Sequence, residues 1–216
     1  MDKKNTVKKI ISELKKLYPE AVCSLTYSNP VELLIATRLS AQCTDARVNL
    51  VTPVLFAKYP TLDALCDASP AEIGEIIKPC GLFNTKARDI SSLCRVIKNE
   101  LGGEVPDTIE QLVKLPGVGR KTANLIVGDI FGKPAIVADT HCIRISGRLG
   151  LCDSSNPVIV ERQLRAVVPP SEGNALCHRL VLFGREICTA RSPKCGMCPL
   201  VRICKFEEKR IHEEIS

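Results

Sequence analysis

Residues 112–126 read Leu-Val-Lys-Leu-Pro-Gly-Val-Gly-Arg-Lys-Thr-Ala-Asn-Leu-Ile and place a Pro-Gly-x-Gly turn between two apolar segments. Pro116 ends the first segment as a helix, and Gly117 and Gly119 allow backbone angles that other residues avoid. The pattern predicts a helix–hairpin–helix. In such a turn, backbone N–H groups around Gly117, Val118 and Gly119 approach a DNA phosphate, helped by the positive end of the second helix. The alternative is a plain helix connection whose glycines serve only close packing.

Lys121 follows this turn directly, at the head of the second predicted helix. The helix dipole and partial desolvation both favour the neutral amine, which is a nucleophile able to form a Schiff base. On position alone, a lysine after Arg120 at a helix start is more often a further phosphate contact. The sequence therefore leaves two roles open for Lys121, nucleophile and phosphate ligand.

Asp139 is the second candidate for chemistry, because it follows the apolar run 135–138 and precedes Thr140. An aspartate at this place fits the N-cap of a helix that continues through Arg144 and Arg148, and capping alone would explain it. A capping carboxylate is also fixed in orientation. It could therefore stabilise a developing sugar cation, provided that the fold brings it beside Lys121.

Four cysteines near the C-terminus form a compact Cys-x6-Cys-x2-Cys-x5-Cys loop, residues 188–204. Zinc sites usually join two separate Cys-x-x-Cys knuckles, whereas one tight loop of thiolates suits a cubane cluster. Two disulfides or four core cysteines fit poorly in a segment with glycine, prolines and cations. We expect a [4Fe–4S] cluster, with zinc as the alternative. The predicted ligands are Cys188, Cys195, Cys198 and Cys204.

The composition favours an intracellular protein with an anionic partner. The 216 residues contain twelve cysteines, no apolar signal segment at the N-terminus and no run as long as a membrane span, so we expect a cytoplasmic protein with reduced thiols. Residues 3–16 carry six lysines and one acid, and residues 185–205 carry five cations and one acid. Basic ends suit a polyanion such as DNA, although lysine-rich helix faces are often merely solvated.

Helix signals recur along the whole chain, and alternating strand patterns are nearly absent. Capping boxes are predicted at Ser69 and Thr108, and a third helix start at Asn156 before a proline. Apolar residues between such starts follow helical spacing. The sequence therefore predicts an all-α fold of about ten short helices, with a seam between subdomains near residues 131–134.

Taken in this order, the motif 115–123, the Asp-Thr-His motif at 139–141 and the cysteine loop resemble the endonuclease III family of helix–hairpin–helix DNA glycosylases. Segments 39–45 and 81–87 extend the resemblance to nearly the whole chain. It implies a six-helix domain at residues 22–132 that contains the hairpin. Residues 1–21 and 133–216 would form a helical iron–sulfur cluster domain, with DNA bound between the two domains.

The resemblance also implies a function. The chain is expected to be a bifunctional glycosylase and abasic-site lyase that removes oxidised pyrimidines from double-stranded DNA after flipping the damaged base out of the stack. Lys121 would be the Schiff-base nucleophile and Asp139 the catalytic carboxylate. Among DNA contacts, Gln42 would fill the gap left by the flipped nucleotide and Leu82 would wedge into the stack. Arg191 and Lys194 of the cluster loop would meet phosphates.

Further expectations from the resemblance are a monomer, associated with the nucleoid of a bacterial or archaeal cell, that also acts on abasic sites. Three alternative functions stay open: a monofunctional adenine glycosylase, a uracil or mismatch-specific relative, and an iron–sulfur protein that binds DNA without cutting it. Cys43 and Cys142 lie near the expected site. One hypothesis is that they make activity sensitive to oxidants.

Overall fold

The computed structural model describes residues 3–206, and every regular element within that range is helical. The all-α class predicted from the sequence is therefore confirmed. None of the helices in these residues is long and apolar enough to cross a membrane. Short 3-10 turns lie at Lys78–Cys80, Pro170–Glu172 and Cys195–Met197. The α-helices are α1 Lys3–Leu17, α2 Pro30–Leu39, α3 Asp45–Lys58, α4 Leu62–Asp67, α5 Pro70–Ile77, α6 Phe83–Glu100, α7 Ile109–Leu112, α8 Arg120–Asp129, α9 Thr140–Arg148, α10 Pro157–Val167 and α11 Gly173–Glu186.

The described chain divides into two compact units. The central unit comprises residues 23–132 and contains α2 to α8. The terminal unit combines residues 3–22 with residues 133–206 and contains α1 and α9 to α11. Both ends of the described chain thus belong to one unit.

Local capping rules account for several helix starts. Ser69 begins α5 with a capping box: its hydroxyl accepts from the Glu72 N–H at 3.2 Å, and its own N–H donates to the Glu72 carboxylate at 2.9 Å. Asn156 caps α10 through two backbone N–H groups. The capping box predicted at Thr108 is wrong, because the Thr108 hydroxyl donates to the Gln111 side-chain oxygen at 2.8 Å and makes no cap bond. Thr108 is nevertheless the N-cap residue of α7.

The core of the central unit forms where α5 lies along α6 and where α2 contacts α3, α6 and α8. The hairpin helix α8 also contacts α7, a single turn that forms the first arm of the hairpin. Because α8 rests on α2, apolar burial fixes the hairpin to the body of this unit. Completely or almost completely buried side chains include Leu33, Leu34, Ile35, Leu39, Ile73, Ile77, Ile90, Leu93 and Ile97.

The terminal unit is built around α11. Helix α1 buries Val7, Ile10 and Leu14 and contacts α10 and α11. Helix α9 contacts α11, and the approach is close at Gly184, where a Cβ atom would clash with His141 Nδ1. A side chain at this position would have to displace the His141 ring and its neighbours on α9. The glycine therefore allows α9, the helix that begins at Asp139, to lie close to α11.

Candidate active site and metal centre

The hairpin turn is built around a glycine that no other residue could replace without strain. Gly117 has φ +71°, and a Cβ atom there would lie 2.9 Å from Arg38 Cδ and 3.1 Å from Asp89 Cβ. Arg38 and Asp89 form an ion pair beneath the turn, with Nη2 and Oδ2 2.7 Å apart. Positive φ and crowding both select glycine at this position. The sequence motif predicted the glycine but not the ion pair that supports it.

The exposed side of the turn presents backbone rather than side chains. Gly117 and Gly119 are exposed, whereas the Val118 side chain is only 8% exposed. The Val118 N–H donates to the Leu115 carbonyl at 3.1 Å, so Val118 holds the turn together. Gly119 is the N-cap of α8 and makes no side-chain cap bond. A helix N-terminus with two exposed glycines has the geometry and the partial positive charge that suit an anion.

Lys121 is the second residue of α8 and lies on its exposed surface. The predicted position at a helix start is therefore correct. The expected partial desolvation is not present in the protein alone, because the side chain is open to solvent. An exposed amine on the first turn of a rigid helix can reach an electrophile on a bound polymer, and the polymer itself would supply the missing burial.

Asp139 caps α9 as the sequence predicted. Its Oδ1 atom accepts from the Cys142 N–H at 2.7 Å, and its own N–H donates to the Val137 carbonyl at 2.9 Å. The side chain is half-buried. Because one carboxylate oxygen is committed to the cap, the orientation of the whole group is fixed.

Two buried cysteines adjoin the start of α9, next to Asp139. Cys142 is completely buried, and its thiol is hydrogen-bonded to that of Cys177. Cys177 in turn accepts from the Val137 N–H at 3.2 Å. The hydrogen bond to Cys177 and burial raise the pKa of Cys142 well above its ordinary value, so its thiol stays neutral. These thiols anchor the start of α9 against α11.

Gln42 and Leu82 share an unusual backbone conformation. Among residues 3–206, they are the two non-glycine residues with positive φ, at 56° and 48°. Both are exposed, and 57% of the Leu82 surface is open to solvent. A left-handed conformation costs such residues on the order of 1–3 kcal/mol and tends to occur at functional sites. Both loops thus hold a protruding side chain in a strained conformation.

The four cysteines of the loop 188–204 line one cavity together with apolar neighbours that include Ile187, Pro193 and Val201. Within the described residues, no three His, Cys, Asp or Glu side chains converge on a position for a single metal ion. The four cysteines are therefore neighbours around one cavity, as the ligands of a shared inorganic group must be.

Arginines of α9 hold the cysteine loop. Arg148 donates from Nη1 to the Cys188 sulfur at 3.3 Å and to the Thr189 carbonyl at 2.7 Å, and from Nη2 to the Ala190 carbonyl at 2.9 Å. Arg144 donates to the Cys188 carbonyl at 2.9 Å. The Arg148 carbonyl accepts from the Lys205 N–H at 2.8 Å. Sequence reasoning placed both arginines on this helix but missed that they bind the loop at its first cysteine.

The two basic segments, α1 and the cysteine loop, differ in the positive charge that they can offer to an anion. Arg191 and Lys194 lie exposed in the cysteine loop. In α1, however, Lys15 pairs with Glu172 and Lys16 with Glu13. The N-terminal lysines therefore contribute less to an anion-binding surface than their number implied. The loop cations remain the stronger candidates for contacts with phosphates.

The predicted residues fall into two sets. The hairpin, Lys121, Gln42 and Leu82 belong to the central unit. Asp139 and the cysteine loop belong to the terminal unit. In the central unit, α8 of the hairpin contacts α2. In the terminal unit, α9 binds the cysteine loop through Arg144 and Arg148.

Comparison with known proteins assigns a family to this arrangement. Residues 35–170 match the family described as "HhH-GPD superfamily base excision DNA repair protein". Residues 188–204, from the first to the last of the four cysteines, match the "Iron-sulfur binding domain of endonuclease III". The cofactor of the protein is therefore a [4Fe–4S] cluster.

Similar proteins agree with these matches. Endonuclease III of Synechocystis sp. is 47% identical, over 94% of this chain and 93% of the relative. A structure of an endonuclease III–DNA covalent intermediate is 45% identical with a TM-score of 0.89, over 95% of this chain and 97% of the other. A thermostable thymine-DNA glycosylase is 26% identical with a TM-score of 0.84, over 95% and 98%. The chain therefore belongs to the endonuclease III family of base excision DNA repair proteins.

Proposed function

We propose that Lys121 is the nucleophile of this DNA glycosylase and abasic-site lyase, and that its substrates are oxidised pyrimidines in duplex DNA. The observation that carries the proposal is the position of Lys121, exposed on the first turn of α8 directly after the hairpin. The likeness to an endonuclease III trapped in covalent linkage with DNA supports it, since such a linkage requires a nucleophilic side chain.

The proposed chemistry begins when the damaged nucleotide leaves the stack, because its glycosidic bond is inaccessible within it. The neutral amine of Lys121 forms a bond to C1′ as the glycosidic bond breaks, and the base leaves with a proton. Loss of a proton from nitrogen and opening of the sugar give an imine. Removal of a C2′ proton then expels the 3′ phosphate by β-elimination, and hydrolysis of the imine frees the lysine.

Asp139 would stabilise the positive charge that develops on the sugar, or take up the proton that Lys121 must lose. The hydrogen bond from the Cys142 N–H supports this role, because it fixes the carboxylate without consuming its negative charge. The cap and the catalytic role are therefore compatible.

The DNA contacts would come from several surfaces. The exposed backbone at Gly117 and Gly119 would bind one phosphate strand without reading sequence, with Val118 buried as the anchor of the turn. The exposed Gln42 and Leu82 would enter the stack where the nucleotide leaves it. The cluster loop would add phosphate contacts through Arg191 and Lys194.

The cluster ligands would be Cys188, Cys195, Cys198 and Cys204, which line one cavity. The bound cluster supplies iron–sulfur bonds that close this loop, and the proposed chemistry needs no electron from it. Arg148 and Arg144 hold the loop to α9, and Arg191 and Lys194 project from it as exposed cations. We infer a structural role for the cluster.

A second candidate is a thymine or uracil mismatch glycosylase, favoured by the similar fold of the thermostable thymine-DNA glycosylase. Single-turnover release of free base separates the candidates, when it is measured on duplexes of the same sequence that differ only in the target base. Thymine glycol released much faster than mismatched thymine or uracil supports our proposal, and the reverse order contradicts it. Lys121→Gln serves as the control for background release.

We further propose that the protein acts as a monomer in the nucleoid, where its DNA substrate lies. Sedimentation of the protein alone and on a short damaged duplex tests this. One copy per duplex is the expected result, and two copies per lesion would contradict it.

A further inference from the structure

A lysine is buried between the two loops that carry Gln42 and Leu82. Lys86 lies on α6, and its side chain has no surface exposed to solvent. Its Nζ atom donates to the Leu39 carbonyl at 2.8 Å and to the Cys80 carbonyl at 2.8 Å. Lysine is rarely buried in this way, because its ammonium must replace the hydrogen bonds that it makes with water. This arrangement therefore requires a reason.

The two acceptors mark the starts of the two loops. Leu39 is the last residue of α2 and precedes Gln42 by three positions. Cys80 ends the turn Lys78–Cys80 and precedes Leu82 by two positions. One ammonium group thus hydrogen-bonds to two backbone segments, each lying just before a strained residue. The two acceptors are 41 residues apart in the sequence.

The same lysine also holds Leu82 through its backbone. The Lys86 N–H donates to the Leu82 carbonyl at 3.0 Å, as the first hydrogen bond of α6. Next to the second loop, the Cys80 thiol is hydrogen-bonded to that of Cys43, the residue after Gln42. The contacts of Lys86 are therefore with the two loops that present the protruding side chains.

We propose that Lys86 is a positioning residue that fixes the Gln42 and Leu82 loops relative to each other, so that both side chains enter the DNA together. Buried Lys86 does not touch the DNA and acts only through these loops. The inference rests on the proposed function, in which Gln42 and Leu82 contact the opened duplex. Only a side chain with several N–H hydrogens can donate to two backbone carbonyls at once. This explains why a lysine, and not an apolar side chain, occupies this buried position.

Lys86→Met tests this, because methionine keeps most of the volume and removes the donors. Lys98→Met is the matched control: Lys98 lies on the same helix, and 40% of its side chain is exposed. The measurements are single-turnover lyase rates on an abasic site in duplex and in single-stranded DNA, where no stack must be opened. We expect Lys86→Met to cleave the duplex about 10- to 100-fold more slowly, and to match the parent on the single strand.

Equal losses on both substrates would indicate a merely structural role and would overturn the inference, as would an unchanged duplex rate. If Lys86→Met does not fold, Lys86→Arg takes its place. Arginine keeps the charge but cannot reproduce both short contacts, so the same selective loss is expected, and parent activity or an equal loss on both substrates overturns the inference.

Gln42→Ala/Leu82→Ala separates this inference from the proposed function. We expect the pair to slow duplex cleavage, and Lys86→Met to add little in that background, since it acts through the same loops. Full duplex activity in the pair would refute the proposed DNA contacts themselves. A pair that loses activity beside a fully active Lys86→Met would refute only the role of Lys86.

Discussion

Nη1 of Arg148 lies 3.3 Å from the sulfur of Cys188, the first cysteine of the cluster loop. Arg148 is also the last residue of α9, and Asp139 is the N-cap of the same helix. A helix of nine residues is a rigid rod about 13 Å long. The proposed catalytic carboxylate and the first proposed cluster ligand are thus held at opposite ends of one short helix.

We expect Arg148→Leu to loosen the cluster loop, because it removes the donors to Cys188, Thr189 and Ala190. Hydrogen bonds from a charged group of this kind contribute about 2 kcal/mol. The variant should lose iron and visible cluster absorbance faster in air than the parent. Arg162→Leu is the control, because Arg162 is an exposed arginine on α10 of the same unit. Equal rates of cluster loss in both variants would contradict this role of Arg148.

Asp139→Asn should separate the cap from the catalytic charge. Asparagine can still accept from the Cys142 N–H, so Tm should change little, while single-turnover cleavage should fall about 100- to 1000-fold. Asp139→Ala loses both functions and should also be destabilised by about 1 kcal/mol. Parent activity in Asp139→Asn would limit this residue to a structural cap.

Gly117→Ala and Gly119→Ala should fail in different ways. Gly117 has φ +71° and no room for a Cβ atom, so Gly117→Ala should destabilise the protein by about 1–2 kcal/mol or more. Around Gly119 no atom lies within 4 Å of the added Cβ, so the Gly119→Ala variant should keep the fold of the parent. If the hairpin binds a phosphate, Gly119→Ala should still weaken binding equally for all DNA sequences. Parent DNA affinity in a folded Gly119→Ala would contradict that contact.

The Cys80 thiol should be unreactive at neutral pH. Burial, with help from the neighbouring Cys43 thiol, raises its pKa to about 11. Because only the thiolate reacts, alkylation of Cys80 should accelerate about tenfold for each pH unit between 7 and 9. Mass spectrometry of the alkylated peptide measures this rate. A rate independent of pH would show that the thiol is already ionised.

The two cysteines proposed to make activity sensitive to oxidants differ in their burial. Cys142 is completely buried, whereas Cys43 is half-buried beside Gln42. Cys43→Ser should therefore slow the loss of activity in peroxide, and Cys142→Ser should not. If both variants are inactivated at the parent rate, neither cysteine makes the enzyme sensitive.

Features set by neighbours in the chain could be predicted from the sequence. The cap at Asp139, the capping box at Ser69 and the glycine turn of the hairpin each follow from a few adjacent residues. Thr108 shows the limit of such rules, because its hydroxyl has a competing local acceptor.

Features set by long-range contacts could not be predicted. Lys86 meets the Leu39 carbonyl across 47 residues, and Arg38 meets Asp89 across 51. A charged residue in an amphipathic helix is usually solvated, so the sequence gives no signal for burial of Lys86. The left-handed backbone of Leu82 is equally hidden, since a bulky residue normally avoids it.

Lys121 is proposed to form a covalent imine with the damaged strand. Borohydride reduction on a duplex with one thymine glycol would trap this imine, with Lys121→Gln and undamaged DNA as controls. We predict a stable protein–DNA adduct for the parent on the lesion alone, and none for Lys121→Gln. Release of the base without an adduct, or an adduct that persists in Lys121→Gln, would contradict the claim.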